Sequence, residues 1–177
     1  KKIFFATLAT RSQLGARLAT LDLESFYLHD RNVLPRIDHM YYDTTYLPKR
    51  YLVKFSDYIT DNRILLSCTQ AIYGMQDAGS IAGLVLAKTL TENGYSEIEN
   101  TCLWVSKKTG EENMLFNTNV DDFAIIHIPE TKALQRLESV LLKAGYTFVR
   151  NENNQSKIQT FHFCGLDIEH NTETHVV

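Results

Sequence analysis

The stretch NTNVDDFAII, residues 117–126, places two adjacent acids between two segments that have the composition of β-strands. Adjacent carboxylates repel each other, so Asp121 and Asp122 do not stabilise the chain by standing side by side. In one interpretation the pair belongs to a solvated hairpin turn, because Asp is a common turn residue. In the other interpretation a positive charge lies next to the pair and offsets the repulsion.

The overall composition is that of a folded domain. The chain has 177 residues, of which 44% are hydrophobic and 22% are charged, and these values fit one domain with its own core and argue against disorder. No segment is apolar over the length needed to cross a bilayer, so no membrane partner is expected. The sequence begins without Met and ends without a capping segment, which predicts a fragment of a longer protein.

The net charge, the cysteines and the histidines do not by themselves predict a nucleic-acid-binding, redox or metal site. The formal net charge of −3 argues against a protein that binds nucleic acid through a basic face of its own. Reduced thiols and an intracellular setting are expected for the cysteines, which contain no CxxC pair: Cys68, Cys102 and Cys164. Ordinary strand or surface positions are expected for three histidines that share no metal-ligand spacing: His127, His162 and His170.

Hydrophobic periodicity predicts the element order β–α–β–β–α–β, with a short helix before it. The predicted strands are 17–23, 64–71, 102–105, 114–120, 123–128, 147–150 and 158–169. The predicted helices are 2–11, 77–93 and a segment that begins at Pro129. Loops and short strands are expected over 29–63, which contains two prolines and many tyrosines. This order is typical of an α+β, ferredoxin-like (split βαβ) fold, an antiparallel sheet backed by two helices, although other α+β sheets share it.

The ferredoxin-like order predicts where the acids lie. The first strand, 17–23, runs parallel to the strand 114–120, and the strand 123–128 lies antiparallel between them. Asp22 ends the first strand and the acidic pair occupies the hairpin tip, so three carboxylates converge at one edge of the sheet. Crowded carboxylates raise each other's pKa, and a hard divalent cation such as Mg²⁺ or Mn²⁺ removes that cost. Two such ions activate a hydroxyl and stabilise a leaving pyrophosphate in an in-line displacement.

Four segments in order resemble the palm of reverse transcriptases from copia-like LTR retrotransposons. They are LDLESFYL (21–28), AIYGMQDAG (71–79), NVDDF (119–123) and FCGLDIE (163–169). In turn they are similar to the family's first acidic motif, its YGLxQAG segment, its VDD hairpin and its primer-grip strand. Order and spacing agree from about Gly15 to Glu169. Each motif alone is weak, whereas four in order are fairly specific.

The resemblance implies an RNA-directed DNA polymerase that uses two divalent ions, Mg²⁺ or Mn²⁺. The enzyme extends a primer 3′ hydroxyl with deoxynucleotides on an RNA or DNA template. By position, Asp22, Asp121 and Asp122 become the catalytic and metal-binding acids. Leu23 contributes only its backbone carbonyl to metal, and Val120 packs beneath the turn.

The resemblance also implies contacts with the substrates. Tyr27 takes the position where an aromatic ring excludes a ribose hydroxyl, although the residue also fits an ordinary sheet core. Nucleotide and template contacts are implied for Tyr27, Gln76, Asp77 and Gly79, and the last of these also suits a loop before a helix. A primer grip is implied for Phe163, Cys164 and Gly165.

The expected domain is a single reverse-transcriptase-like unit over 1–177, with a partial fingers insertion at about 29–70. The upstream fingers, the thumb, the RNase H domain and the rest of the parent polyprotein are expected outside it, so the fragment alone is predicted to be inactive. Elements of this kind work in cytoplasmic particles and then enter the nucleus, and an intracellular location is expected.

Two departures from the family pattern keep a second function open. Asp77 stands where the family has Gln, and an added negative charge beside a triphosphate weakens its binding. Asn119 replaces a residue that is usually apolar or aromatic. A catalytically dead, domesticated or decaying module is therefore the alternative. A nucleotide cyclase also pairs acids on a hairpin, but the segment 71–79 has no counterpart there.

Overall fold

A computed structural model of the chain describes residues 2–12, 14–29, 31–108, 114–151 and 157–174. Its α-helices are α1 (Lys2–Ser12), α2 (Lys49–Lys54), α3 (Ala78–Glu92) and α4 (Ala133–Lys143). Its strands are β1 (Arg17–Glu24), β2 (Val33–Asp43), β3 (Ile59–Thr60), β4 (Arg63–Gln70), β5 (Tyr95–Glu97), β6 (Leu103–Ser106), β7 (Leu115–Asn119), β8 (Asp122–His127), β9 (Thr147–Asn151), β10 (Ile158–Phe163) and β11 (Leu166–Asn171). In the described ranges no helix has the length and apolar character that crossing a membrane requires. The architecture is mixed α+β.

The main sheet has six strands in the order β5-β6-β7-β8-β1-β9. All of its neighbouring strands are antiparallel. Since β8 pairs with both β1 and β7, these two strands run parallel to each other, as the sequence predicts. After its first residue β8 is buried throughout, which is typical of a central strand covered on both faces.

Helices α3 and α4 cover one face of this sheet. The apolar stripe of α4 lies at helical spacing, so Leu134, Leu137 and Leu141 all point inward. They pack with Leu21 of β1 and Phe123 of β8 in one buried cluster. The predicted backing of the sheet by two helices is therefore confirmed.

Helix α1 and the hairpin β10–β11 cover the opposite face. The side chains of this second buried cluster include Phe4, Leu8, Leu18, Ala124, Ile126, Phe161, Phe163 and Ile168. On β1, side chains alternate between the two faces. Leu18 therefore packs toward the hairpin, whereas Ala19 and Leu21 pack toward the helices.

The expectation of loops and short strands over 29–63 is wrong. Strand β2 has 11 residues and pairs with β4 in a second sheet, whose order is β2-β4-β3. Pro35 lies between Val33 and Asp38, where the register of the two strands shifts. A proline fits a strand at such an irregularity because it lacks an N–H for the ladder.

Three other boundaries differ from the sequence prediction. The predicted strand 158–169 is a hairpin, because Cys164 and Gly165 both have positive φ and form a two-residue turn. Strand β1 continues past Asp22 to its end at Glu24. Lys132 has a φ of 56° and separates a 3₁₀ turn at Pro129–Thr131 from α4, so this helix begins later than expected.

Candidate functional site

Asp22 and Asp122 lie directly opposite each other on β1 and β8. Next to them, the Leu23 N–H donates to the carbonyl oxygen of Asp121 at 3.0 Å. Opposed residues in an antiparallel ladder alternate between hydrogen-bonded and non-hydrogen-bonded pairs. Since Leu23 and Asp121 form a hydrogen-bonded pair, Asp22 and Asp122 form a non-hydrogen-bonded pair, in which the Cα atoms are about 4.5 Å apart. Opposed residues in a sheet point to one face. The proximity that the sequence predicts for these two acids is present.

The acidic pair lies on the sheet face that α1 and the hairpin β10–β11 cover. Side chains at even positions of β1 and β8 share this face, and Leu18, Ala124 and Ile126 are among its buried members. At the acids the face is open, since Asp22 is exposed and Asp122 is only half-buried. Solutes therefore reach this end of the two strands.

The electrostatics of the pair are repulsive. The pKa of the Asp122 carboxyl is raised, first by burial and then by the negative charges of Asp121 and Asp22. The nearby His162 works in the opposite direction and lowers this pKa. A cation bound between the acids would relieve the same repulsion.

The carboxylate oxygens of the acids suit a hard divalent cation, although the described residues do not form a complete set of metal ligands. Carboxylate oxygens are the ligands that Mg²⁺ and Mn²⁺ prefer. In the described part of the chain, however, no three His, Cys, Asp or Glu side chains are grouped closely enough to hold a metal ion. Asp22 and Asp122 face each other and Asp121 adjoins them in the turn. These acids could hold a cation together with water or substrate oxygens.

The turn that carries Asp121 has a strained backbone. Val120 and Asp121 join Asn119 of β7 to Asp122 of β8, and Val120 has a φ of 59°. A β-branched residue rarely adopts this left-handed conformation, and such strain often marks functional sites. Val120 is 46% exposed, so the expectation that it packs beneath the turn is wrong. Its side chain instead borders a groove that Trp104 also lines.

The segment 71–79 meets the turn that follows β1. The ring of Tyr27 packs edge-on against Tyr73, with 4.7 Å between ring centroids. A Cβ atom placed on Gly79 would lie 3.8 Å from Cε1 of Tyr27. Two of the predicted nucleotide-contacting positions, Tyr27 and Gly79, are thus neighbours, and the half-buried tyrosine also packs against the core.

The other two predicted nucleotide or template contacts are exposed. Gln76 and Asp77 precede α3 in the loop that leads into it. Asp77 occupies the N-cap position, but its side chain makes no capping hydrogen bond. Any stabilisation of α3 by Asp77 therefore comes from its negative charge near the helix N-terminus and not from a capping hydrogen bond.

The predicted primer-grip residues divide into two environments. Phe163 is 3% exposed and belongs to the core beneath the hairpin. Cys164 and Gly165 form the turn itself, and the glycine is exposed. Of the three, only the turn residues are placed to contact a partner.

Sequence reasoning missed one polar pair on the exposed side of the hairpin β10–β11. His162 Nδ1 and Asp167 Oδ1 are 2.9 Å apart, and the two residues are opposed on β10 and β11. The signal that could have revealed them is the pair Cys164-Gly165, because a two-residue turn places the residues on either side of it in register.

Comparisons with known proteins identify no relative. No protein-family model, no curated protein and no solved structure matches the chain. The functional assignment therefore depends on the residues and the geometry described above.

Proposed function

We propose that this chain is the palm of an RNA-directed DNA polymerase from a copia-like retrotransposon. Such an enzyme is a nucleotidyltransferase that adds deoxynucleotides to a primer 3′ hydroxyl. The observation that carries the proposal is the opposed pair Asp22 and Asp122 at the open end of two central strands, with Asp121 beside them. The strand order β7-β8-β1-β9 supports it, because a ferredoxin-like palm has the same order.

The roles of the residues follow from their positions. Asp22, Asp121 and Asp122 would hold Mg²⁺ or Mn²⁺, and when bound the ions would neutralise charge on the phosphates and lower the pKa of the attacking hydroxyl. Tyr27, which lies next to Gly79, would border the sugar of the incoming nucleotide. Leu23 donates its N–H to Asp121 of the turn and lies opposite Phe148 of β9, so its carbonyl is held in a paired part of the strand next to Asp22.

The proposed partners are deoxynucleoside triphosphates, a primer on an RNA or DNA template, and the rest of a parent polyprotein. The second sheet and α2 would be the part of the fingers within 29–70. With a net charge of −3, the chain would need basic segments from the remaining polypeptide to hold nucleic acid. The 177 residues alone are therefore expected to be inactive, and the working location would be inside the cell.

The first test is a titration with Mn²⁺ followed by thermal unfolding. A cation that binds the folded form raises the melting temperature with increasing concentration. Asp122→Asn should remove this increase, whereas Asp57→Asn, at an exposed acid in the 3₁₀ turn Ser56–Tyr58, should retain it. An unchanged melting temperature in the wild-type protein would argue against the metal site.

The second test is primer extension by the full-length polypeptide that contains this chain. Asp121→Ala should abolish nucleotide addition, with Asp57→Asn as the active control. Normal polymerisation by the Asp121→Ala protein would refute the proposal.

A catalytically dead module that binds or scaffolds is the second candidate. It is favoured by two departures from the family pattern, the exposed acid Asp77 and Asn119 before the turn. Among the described residues, moreover, no three His, Cys, Asp or Glu side chains form a metal-ligand cluster. The Mn²⁺ titration separates the two candidates, because a dead module with the same fold would show no rise in melting temperature.

A further inference from the structure

Asn32 is a buried amide that joins the turn after β1 to the start of β2. Its exposed fraction is 0%, and it directly precedes the first residue of β2. Its Nδ2 donates to the carbonyl oxygen of Phe26 at 2.7 Å and to that of Tyr27 at 3.2 Å. Because both acceptors are carbonyl oxygens, the NH₂ group of the amide must face them. The side chain of Asn32 therefore holds the backbone that carries the Tyr27 ring.

The backbone of Asn32 extends this connection to the segment 71–79. The Ala71 N–H donates to the carbonyl oxygen of Asn32 at 2.8 Å, next to the opposed residues Val33 and Gln70 of β2 and β4. Ala71 is also fully buried. One residue thus fixes two segments relative to each other, although they are separated by the whole of the second sheet in the sequence.

The same two segments meet at the ring of Tyr27. From the segment 71–79, Tyr73 packs edge-on against the ring at 4.7 Å, and a Cβ atom on Gly79 would lie 3.8 Å from it. From the turn after β1, Phe26 packs against it with 5.6 Å between centroids. The ring is only half-buried. Its position depends on how the two segments are placed, and Asn32 bonds to both.

We propose that Asn32 is a positioning residue for the selection of deoxyribonucleotides over ribonucleotides. This inference rests on the proposed nucleotidyl transfer, in which Tyr27 borders the sugar of the incoming nucleotide. A ring excludes a 2′ hydroxyl by steric contact, so a small displacement of the ring opens the space that the hydroxyl needs. Asn32 prevents this displacement because it fixes the backbone on both sides of the ring contacts. Being fully buried, it acts through Tyr27 and not by contact with the nucleotide.

The test measures kcat/KM of the full-length polypeptide for a deoxynucleoside triphosphate and for the matching ribonucleoside triphosphate. The ratio of the two values does not depend on the fraction of folded protein, because both are measured on one preparation. Asn32→Ala should lower this ratio about 10-fold, with the kcat for deoxynucleotide addition nearly unchanged. Asn117→Ala removes another buried amide that donates to a backbone carbonyl, and it should keep the wild-type ratio.

A double substitution tests whether Asn32 acts through Tyr27. Tyr27→Ala alone should lower the ratio, and the addition of Asn32→Ala should lower it no further. A further loss in the double variant, or a wild-type ratio in Asn32→Ala, would overturn the role of Asn32 and leave the proposed polymerase function intact. A wild-type polypeptide that adds no nucleotide would overturn both.

Discussion

At the scale of single residues, Asp22 and Asp122 form an arrangement that costs stability. Two carboxylates stand opposite each other on paired strands, and like charges in such positions destabilise a sheet. The raised pKa of Asp122 has burial as its main cause and the neighbouring acids as the next. The opposed acids thus oppose folding at an open end of the central strands, which is consistent with the metal site proposed for them.

The metal-free protein should therefore become more stable when one acid is neutralised. Asp122→Asn removes the repulsion and is expected to increase the free energy of unfolding by about 0.2–1 kcal/mol near neutral pH. Because the folded-state pKa lies above the ordinary 3.8, the penalty is present at neutral pH and disappears as pH falls through that raised value. The measurement is urea unfolding in chelator, with Asp57→Asn as the matched control. Destabilisation by Asp122→Asn under these conditions would contradict the account.

At the scale of elements, the β7–β8 hairpin carries its strain in one residue. Val120 holds a positive φ that its branched side chain disfavours. The neighbouring Asp121 is thereby placed at the tip of the turn beside Asp122. The hairpin is well paired, yet this strain persists. It is consistent with a turn conformation that is retained because it places Asp121 beside Asp122.

Relief of this strain should stabilise the hairpin. Val120→Gly is expected to raise the free energy of unfolding by about 1 kcal/mol, since glycine adopts positive φ without steric cost. Val120→Ala removes the same branched side chain but retains a Cβ, so it should give a smaller gain. Thermal unfolding of the two variants provides the comparison. Equal stability of the glycine and alanine variants would show that φ at this position carries no strain.

At the scale of the whole molecule, a buried histidine makes stability depend on pH. His127 is 2% exposed, and its pKa is lowered to about 4, chiefly by burial and then by the charge of Arg150. Between that value and the ordinary 6.5, the unfolded chain binds a proton at His127 that the folded chain does not. Stability should therefore fall as pH decreases through this window, by up to about 1.4 kcal/mol per pH unit.

A substitution at this site isolates the effect. His127→Gln should flatten the decrease in stability between about pH 6.5 and about pH 4.5 relative to wild type. Asp122 acts with the opposite sign at the acidic end, but it is unchanged in both proteins, so the difference between them reports His127 alone. Urea unfolding at several pH values is the measurement. Parallel pH profiles for the two proteins would rule out a buried neutral His127.

Much of the architecture could be predicted from local patterns. The helical periodicity of α4 and the apolar run of β8 are local properties, and both elements are present as the sequence predicts. The long strand β2 was missed because its stability comes from pairing with β4, which a local pattern does not show. The split of 158–169 was missed because only Gly165 of the two turn residues signals a turn, whereas Cys164 adopts a positive φ that a non-glycine residue rarely takes.

The sequence by itself determined the order of the central strands β1, β7, β8 and β9 and of the two helices that cover them, and it placed an acid near the end of one strand and two acids at a turn. Periodicity and turn chemistry act over a few residues, so they can be read along the chain. Only the tertiary structure decided that Asp22 stands opposite Asp122 and that His162 contacts Asp167 across the hairpin β10–β11. Strand register decides both, and it arises from packing between segments far apart in the chain.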